Sequence, residues 1–145
     1  MTGLIRHLPR RLDLLAIIPF LVGCTSVTPL DAPVNGAVRV TPWVAEDPLE
    51  VGTPGQGVPT IDDVLEVVRA RETGIFGGGT TDVGFEGDQS DQAVTGYART
   101  TFPVSETLRA TDLRFEVRHE SSGWRIVAME RRYHCAEGSA SQFCP

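Results

Sequence analysis

The sequence predicts an α+β domain: one helix packed on a three- to four-stranded antiparallel sheet. Three observations predict it. Ile61, Val64, Leu65 and Val68 recur at helical spacing. Leu113, Phe115 and Val117 alternate with Arg114, Glu116 and Arg118, the period of two of a half-buried strand. Ser121-Ser122-Gly123 then turns the chain into a return strand over Trp124–Tyr133. A helix followed by antiparallel strands buries its apolar stripe by lying across the sheet.

The helix is predicted to start after Thr60, whose hydroxyl suits an N-cap, with Asp62 and Asp63 in the first turn. Arg69 and Arg71 fall in its expected last turn, and Gly74 is expected to stop it. Residues 74–93 read as an acidic surface loop with a short strand around Val83–Phe85. The run Gly77-Gly78-Gly79 follows a helix and has no Lys after it, so it does not fit a phosphate loop. Asp82, Glu86, Asp88 and Asp91 supply oxygen ligands, but Gly84 stands third and Ala93 twelfth, which breaks the calcium-loop pattern. Val94–Phe102 is rich in Thr and aromatics and reads as a strand that Pro103 interrupts. In the return strand, Trp124, Ile126 and Ala128 are expected on one side, with Arg125, Val127 and Met129 on the other.

Upstream of the domain the chain changes character twice. Arg6, His7, Arg10 and Arg11 form a basic head, and Leu14–Val22 is an apolar run too short for a spanning helix of about 20 residues. From Thr25 to Thr60 there are six Pro and four Gly, so little regular structure is expected. This gives three segments: a signal peptide over 1–23, a flexible tether over 24–60 and the domain over 61–145. Val34–Trp43 is more apolar than the rest of the tether. It is read as extended, with an edge strand as the alternative.

The exit of the apolar run, Leu21-Val22-Gly23-Cys24, resembles the lipobox of bacterial lipoproteins. The resemblance covers residues 1–24. It implies diacylglyceryl transfer to the Cys24 thiol and cleavage between Gly23 and Cys24. It also implies a membrane held through the lipid anchor, with the domain on the extracytoplasmic face of the cell membrane. One acyl chain binds only marginally, and two or three give a lasting anchor. Arg10-Arg11 is similar to a twin-arginine pair, but Asp13 stands where apolar residues are usual, which favours the general secretory route.

Cleavage would remove three of 13 basic residues and one of 19 acids, leaving ten against 18 and a net charge of −8. That argues against nucleic acid as a partner and against attraction to anionic lipid. Every basic residue is Arg and none is Lys, which points to a GC-rich genome of the actinobacterial kind. With Cys24 given to lipid, Cys135 and Cys144 are the one remaining pair, and an exported chain meets an oxidising compartment, so a disulfide is expected. The competing metal site, Cys135 with His134 and Cys144, lacks a fourth ligand and the short paired spacings of zinc sites.

Candidate catalytic groups are His119, His134, Ser121, Ser122, Asp112 and Glu120. No Gly-x-Ser-x-Gly elbow is present, and His119 and Ser121 flank a solvent-facing turn. No catalytic site, cofactor or metal is therefore expected. An Arg-rich face (Arg114, Arg118, Arg125, Arg131, Arg132) reads as a solvated sheet surface paired with Glu116, Glu120 and Glu130. The element order resembles cystatin and NTF2-like arrangements. The tail, with its Gly-Trp, Arg-Arg-aromatic step and Cys pair, is similar to small secreted actinobacterial proteins. Two functions follow as expectations: a non-catalytic interaction or assembly domain with an envelope protein partner, or a small-molecule or anion binder with a pocket between helix and sheet. Phe76, Tyr97 or Trp124 would line such a pocket.

Overall fold

The computed structural model describes residues 29–86 and 92–145. A 3₁₀ turn, Pro29–Asp31, leads into β1 (Val38–Val40) and β2 (Val44–Glu46). Then come α1 (Ile61–Ile75), β3 (Thr80–Glu86), β4 (Ala93–Thr101), β5 (Leu108–Glu120) and β6 (Gly123–Ala136). The class is α+β, as predicted. The sheet is larger than predicted: six antiparallel strands in the order β1-β6-β5-β4-β3, with β2 also on β6. The lipobox and leader lie outside the described residues.

The two added strands come from the stretch read as tether: β1 falls within Val34–Trp43, where an edge strand was the alternative reading, and β2 was not expected. Val38–Val40 pairs with His134–Ala136, and Val44–Glu46 pairs with Met129–Arg131. They are one edge strand broken at Pro42, which has no N–H to give the ladder. Thr41 bridges the break: its N–H donates to the Tyr133 carbonyl at 2.9 Å, and its Oγ1 accepts from the Tyr133 N–H at 2.9 Å. Farther along, Val51 and Val58 enter the core, and Val58 bridges to Trp124. A side chain at Gly57 would meet Gly123 and Trp124 backbone at 2.5–2.8 Å, so only Gly lets the segment lie on the hairpin. Pro and Gly here shape a close-fitting strap.

The helix begins as predicted. Asp63 N–H donates to Thr60 Oγ1 at 3.3 Å and Thr60 N–H donates to Asp63 Oδ2 at 3.0 Å, a reciprocal cap. It runs on through Gly74 to Ile75, and the left-handed glycine of the following turn is Gly78, φ +93°. Arg69 and Arg71 are therefore not in the last turn. β3 spans seven residues where only a short strand was expected.

Val64 and Val68 of α1 pack on Val83, Ala98, Leu113, Phe115, Val117, Ile126 and Met129. Burying each such side chain contributes about 1.5–3 kcal/mol. Phe115 lies over Gly96, where a Cβ would meet its ring at 2.3 Å. The alternation predicted for β5 holds, but that for β6 does not. Val117 pairs with Ile126 and Glu116 with Ala128, so Val127 is an extra residue. This bulge shifts the phase. Ile126, Met129 and Arg131 point to the helix, and Ala128 is exposed.

Cys135 and Cys144 form the expected disulfide, Sγ–Sγ 2.05 Å. It is buried with Phe76 and Leu108, with Phe102, Tyr133 and Phe143 around it. Closing a loop of about 10 residues contributes roughly 2.5–3 kcal/mol on the chain-entropy account. The Cys135→Ser/Cys144→Ser variant should lose about that much in urea unfolding. An unchanged midpoint would show that the aromatic cluster alone holds the tail.

Candidate functional site

The chemistry-bearing side chains gather at two places, on opposite faces of β5 and β6. On the back face, away from α1, the register sets Arg99, Asp112 and Arg132 side by side on three neighbouring strands. Asp112 is fully buried. Arg99 Nε donates to its Oδ1 at 2.6 Å, and Arg99 Nη2 to its Oδ2 at 3.0 Å, a fork-on-carboxylate pair. Arg132 Nε reaches Oδ2 at 2.8 Å and His134 Nε2 at 2.7 Å. Burial alone would raise the Asp112 carboxyl. The bonds from His134, Arg99 and Arg132 outweigh it and hold the group well below the usual carboxylate range.

The remaining guanidinium donors go to the 3₁₀ turn and the residue after it. The Leu30 carbonyl accepts from Arg99 Nη2 at 2.8 Å and Arg132 Nη2 at 2.9 Å, and the Ala32 carbonyl accepts from Arg99 Nη1 at 2.6 Å. Arg114 and Arg132 stack on the Trp43 ring, 4.9 and 4.5 Å from its centroid.

On the helix face, Glu72 is buried at the position one turn past Val68. Its carboxylate accepts from Arg131 Nη1 at 2.7 Å and Nη2 at 2.8 Å. Arg131 Nε also donates to Glu46 Oε1 at 2.5 Å, and Arg71 donates to both acids at 3.1–3.2 Å. Burial disfavours the charge of Arg131, but Glu72 and Glu46 raise its basicity beyond the ordinary range. Glu46 is lowered by Arg131 and Arg71, against burial. The Phe76 ring covers the Arg131 guanidinium at 5.1 Å.

These clusters hold chain to chain. The Asp112 oxygens are taken by four donor contacts, and His134 Nδ1 is buried away from solvent without a partner. A general base must reach a substrate proton; this histidine faces its own carboxylate. His119 lies against Trp124, ring centroids 4.9 Å apart, and Glu120, Ser121 and Ser122 are exposed at the hairpin tip. Of the predicted candidates, only Asp112 and His134 meet. Among the described residues no group of three or more His, Cys, Asp or Glu side chains could hold a metal ion. Asp88 and Asp91 lie outside them.

The Arg-rich face expected from the sequence divides. Arg114–Glu130, Arg118–Glu116 and Arg125–Glu120 pair at 2.6, 2.7 and 3.5 Å on the exposed surface. Arg131 faces the helix and is buried, because neighbours on a strand point to opposite faces. Sequence reasoning placed Arg131 with Arg132 and left out Arg99, Glu46 and Glu72. The signal for Glu72 was present: a carboxylate in line with Val64 and Val68.

Val64 and Val68 of α1 are fully buried in one cluster with Leu113, Phe115 and Val117 of the sheet. Phe76 belongs to the disulfide cluster, Tyr97 to the back face, and Trp124 to the hairpin end beside His119. No protein-family model, curated protein or solved structure matches this chain.

Proposed function

We propose that the chain is a lipid-anchored protein of the cell envelope, cleaved before Cys24 and held on the outer face of the cytoplasmic membrane. Its domain engages a protein partner and performs no chemistry itself. One observation carries the reading: Leu21-Val22-Gly23-Cys24 ends a basic-then-apolar leader, and Cys24 is the thiol left over when Cys135 and Cys144 pair. Among the described residues, no helix is long and apolar enough to cross a membrane. The reading is supported further by the side chains that chemistry would need, which are bound to one another. The packed helix–sheet interior favours a protein partner over a small ligand.

Mass spectrometry of protein extracted from native membranes tests it. The expected mass is that of residues 24–145 plus a diacylglyceryl group. Cys24→Ser should carry no diacylglyceryl group and should leave residues 1–23 attached. A bare thiol on a full-length chain would overturn the reading. Crosslinking in the intact envelope should then capture one recurrent partner.

A further inference from the structure

We infer that the back face of the sheet rests on the phospholipid surface in which Cys24 is anchored, with α1 turned outward. The inference rests on the lipid-anchor reading above and concerns how the anchor orients the domain.

The spacer is far shorter than the Pro/Gly-rich composition suggests. Leu30 is buried and its carbonyl takes two guanidinium N–H groups. Such charge-assisted bonds are about twice as strong as neutral ones. Five residues, 25–29, therefore separate Cys24 from the first fixed point. Fully extended, that distance is about 20 Å. Had residues 25–60 been a free coil, the domain would stand about 30–35 Å away on average and could reach much farther.

The fixed point also has a side. Leu30 lies on the back face, where it lines one hollow with Trp43, Arg114 and Arg132. A second hollow, about 510 Å³, joins Leu30 to Val38 and Val40, with Val40 still 45% exposed. A leash this short, fastened at this point, brings that face to the bilayer. Tryptophan, valine and arginine stems suit the headgroup boundary, where rings and alkyl chains bury and charged tips stay wet. Asp31 and Glu86 share the surface, so net charge does not supply the contact; the tether does.

The two tryptophans report on the two sides. Trp43 lies on the back face, and Trp124 packs against the core on the helix side. The native lipidated protein is reconstituted in phosphatidylcholine–phosphatidylglycerol vesicles whose acyl chains carry bromine near the headgroup. Trp124→Phe leaves Trp43 as reporter, and Trp43→Phe leaves Trp124. Trp43 should be quenched several-fold more than Trp124. Inserting about twenty Gly/Ser residues after Thr25 should abolish the difference by lengthening the leash.

Equal quenching, stronger quenching of Trp124, or a difference that survives the insertion would overturn the inference. The mass of the same sample separates this from failure of the anchor reading. If native Cys24 is bare, the chain from Cys24 onward, coupled at that thiol to a maleimide phospholipid, runs the same assay. With Cys135 and Cys144 paired, the coupling has one target.

Discussion

Asp112→Asn should destabilise the domain by about 3–5 kcal/mol in urea unfolding, the range for removing one partner from a buried ion pair. The size follows from what is left behind. Asp112 is the carboxylate that Arg99, Arg132 and His134 share, and it is fully buried. An amide has similar volume and opens no cavity, but it brings no negative charge. Two guanidinium groups would then be held near each other with no carboxylate between them, left to the Leu30 and Ala32 carbonyls, the amide oxygen and, for Arg132, the Trp43 ring. Glu130→Gln is the control. Its pair with Arg114 is exposed and should be worth at most about 1 kcal/mol. A loss at Asp112 no larger than at Glu130 would refute the account.

The same carboxylate sets an acid limit. Its folded pKa lies well below the ordinary 3.8. Its contribution is then present in full above that value and is lost as pH falls below it. Wild-type stability should fall through that acid range, and Asp112→Asn should show a shallower slope there. Equal slopes would place the titration elsewhere.

How much of this was legible depended on whether the signal was local. The Thr60 cap, the stripe of Val64 and Val68, and the alternation at Leu113–Val117 are each written within a few residues, and each is found. The cysteine pair needed only counting. Apart from the helix end, which passes Gly74, the main failures are matters of tertiary context. A bulge at Val127 moves Met129 and Arg131 to the helix side, and nothing around Val127 announces it. Pro and Gly between 25 and 60 signal poor regular structure, yet an edge strand and a close strap tolerate both once β6 offers a free edge. The Arg99–Asp112–Arg132 row depends on the register of three strands. Their charges look like ordinary surface residues until the turn at Leu30 covers them.

The second cluster should respond in a non-additive way that separates pairing from packing. Glu72→Leu leaves Arg131 buried with half of its carboxylate partners and should cost about 3–5 kcal/mol. Arg131→Met should cost a similar amount, since it leaves Glu72 buried beside Arg71 alone. The double variant should recover most of both losses and unfold within about 1 kcal/mol of wild type, because apolar replacements of a buried pair are often neutral. Phe76 favours that outcome. Its ring, now 5.1 Å from the guanidinium, would pack against the thioether instead. Glu46 is only partly buried and keeps Arg71 at 3.2 Å, so it is not stranded. The double-mutant cycle in urea then gives a coupling of several kcal/mol. A double variant as unstable as either single would mean that the ion pair contributes net stability over its apolar replacement, and one as unstable as the two singles summed would mean that Glu72 and Arg131 are not coupled at all.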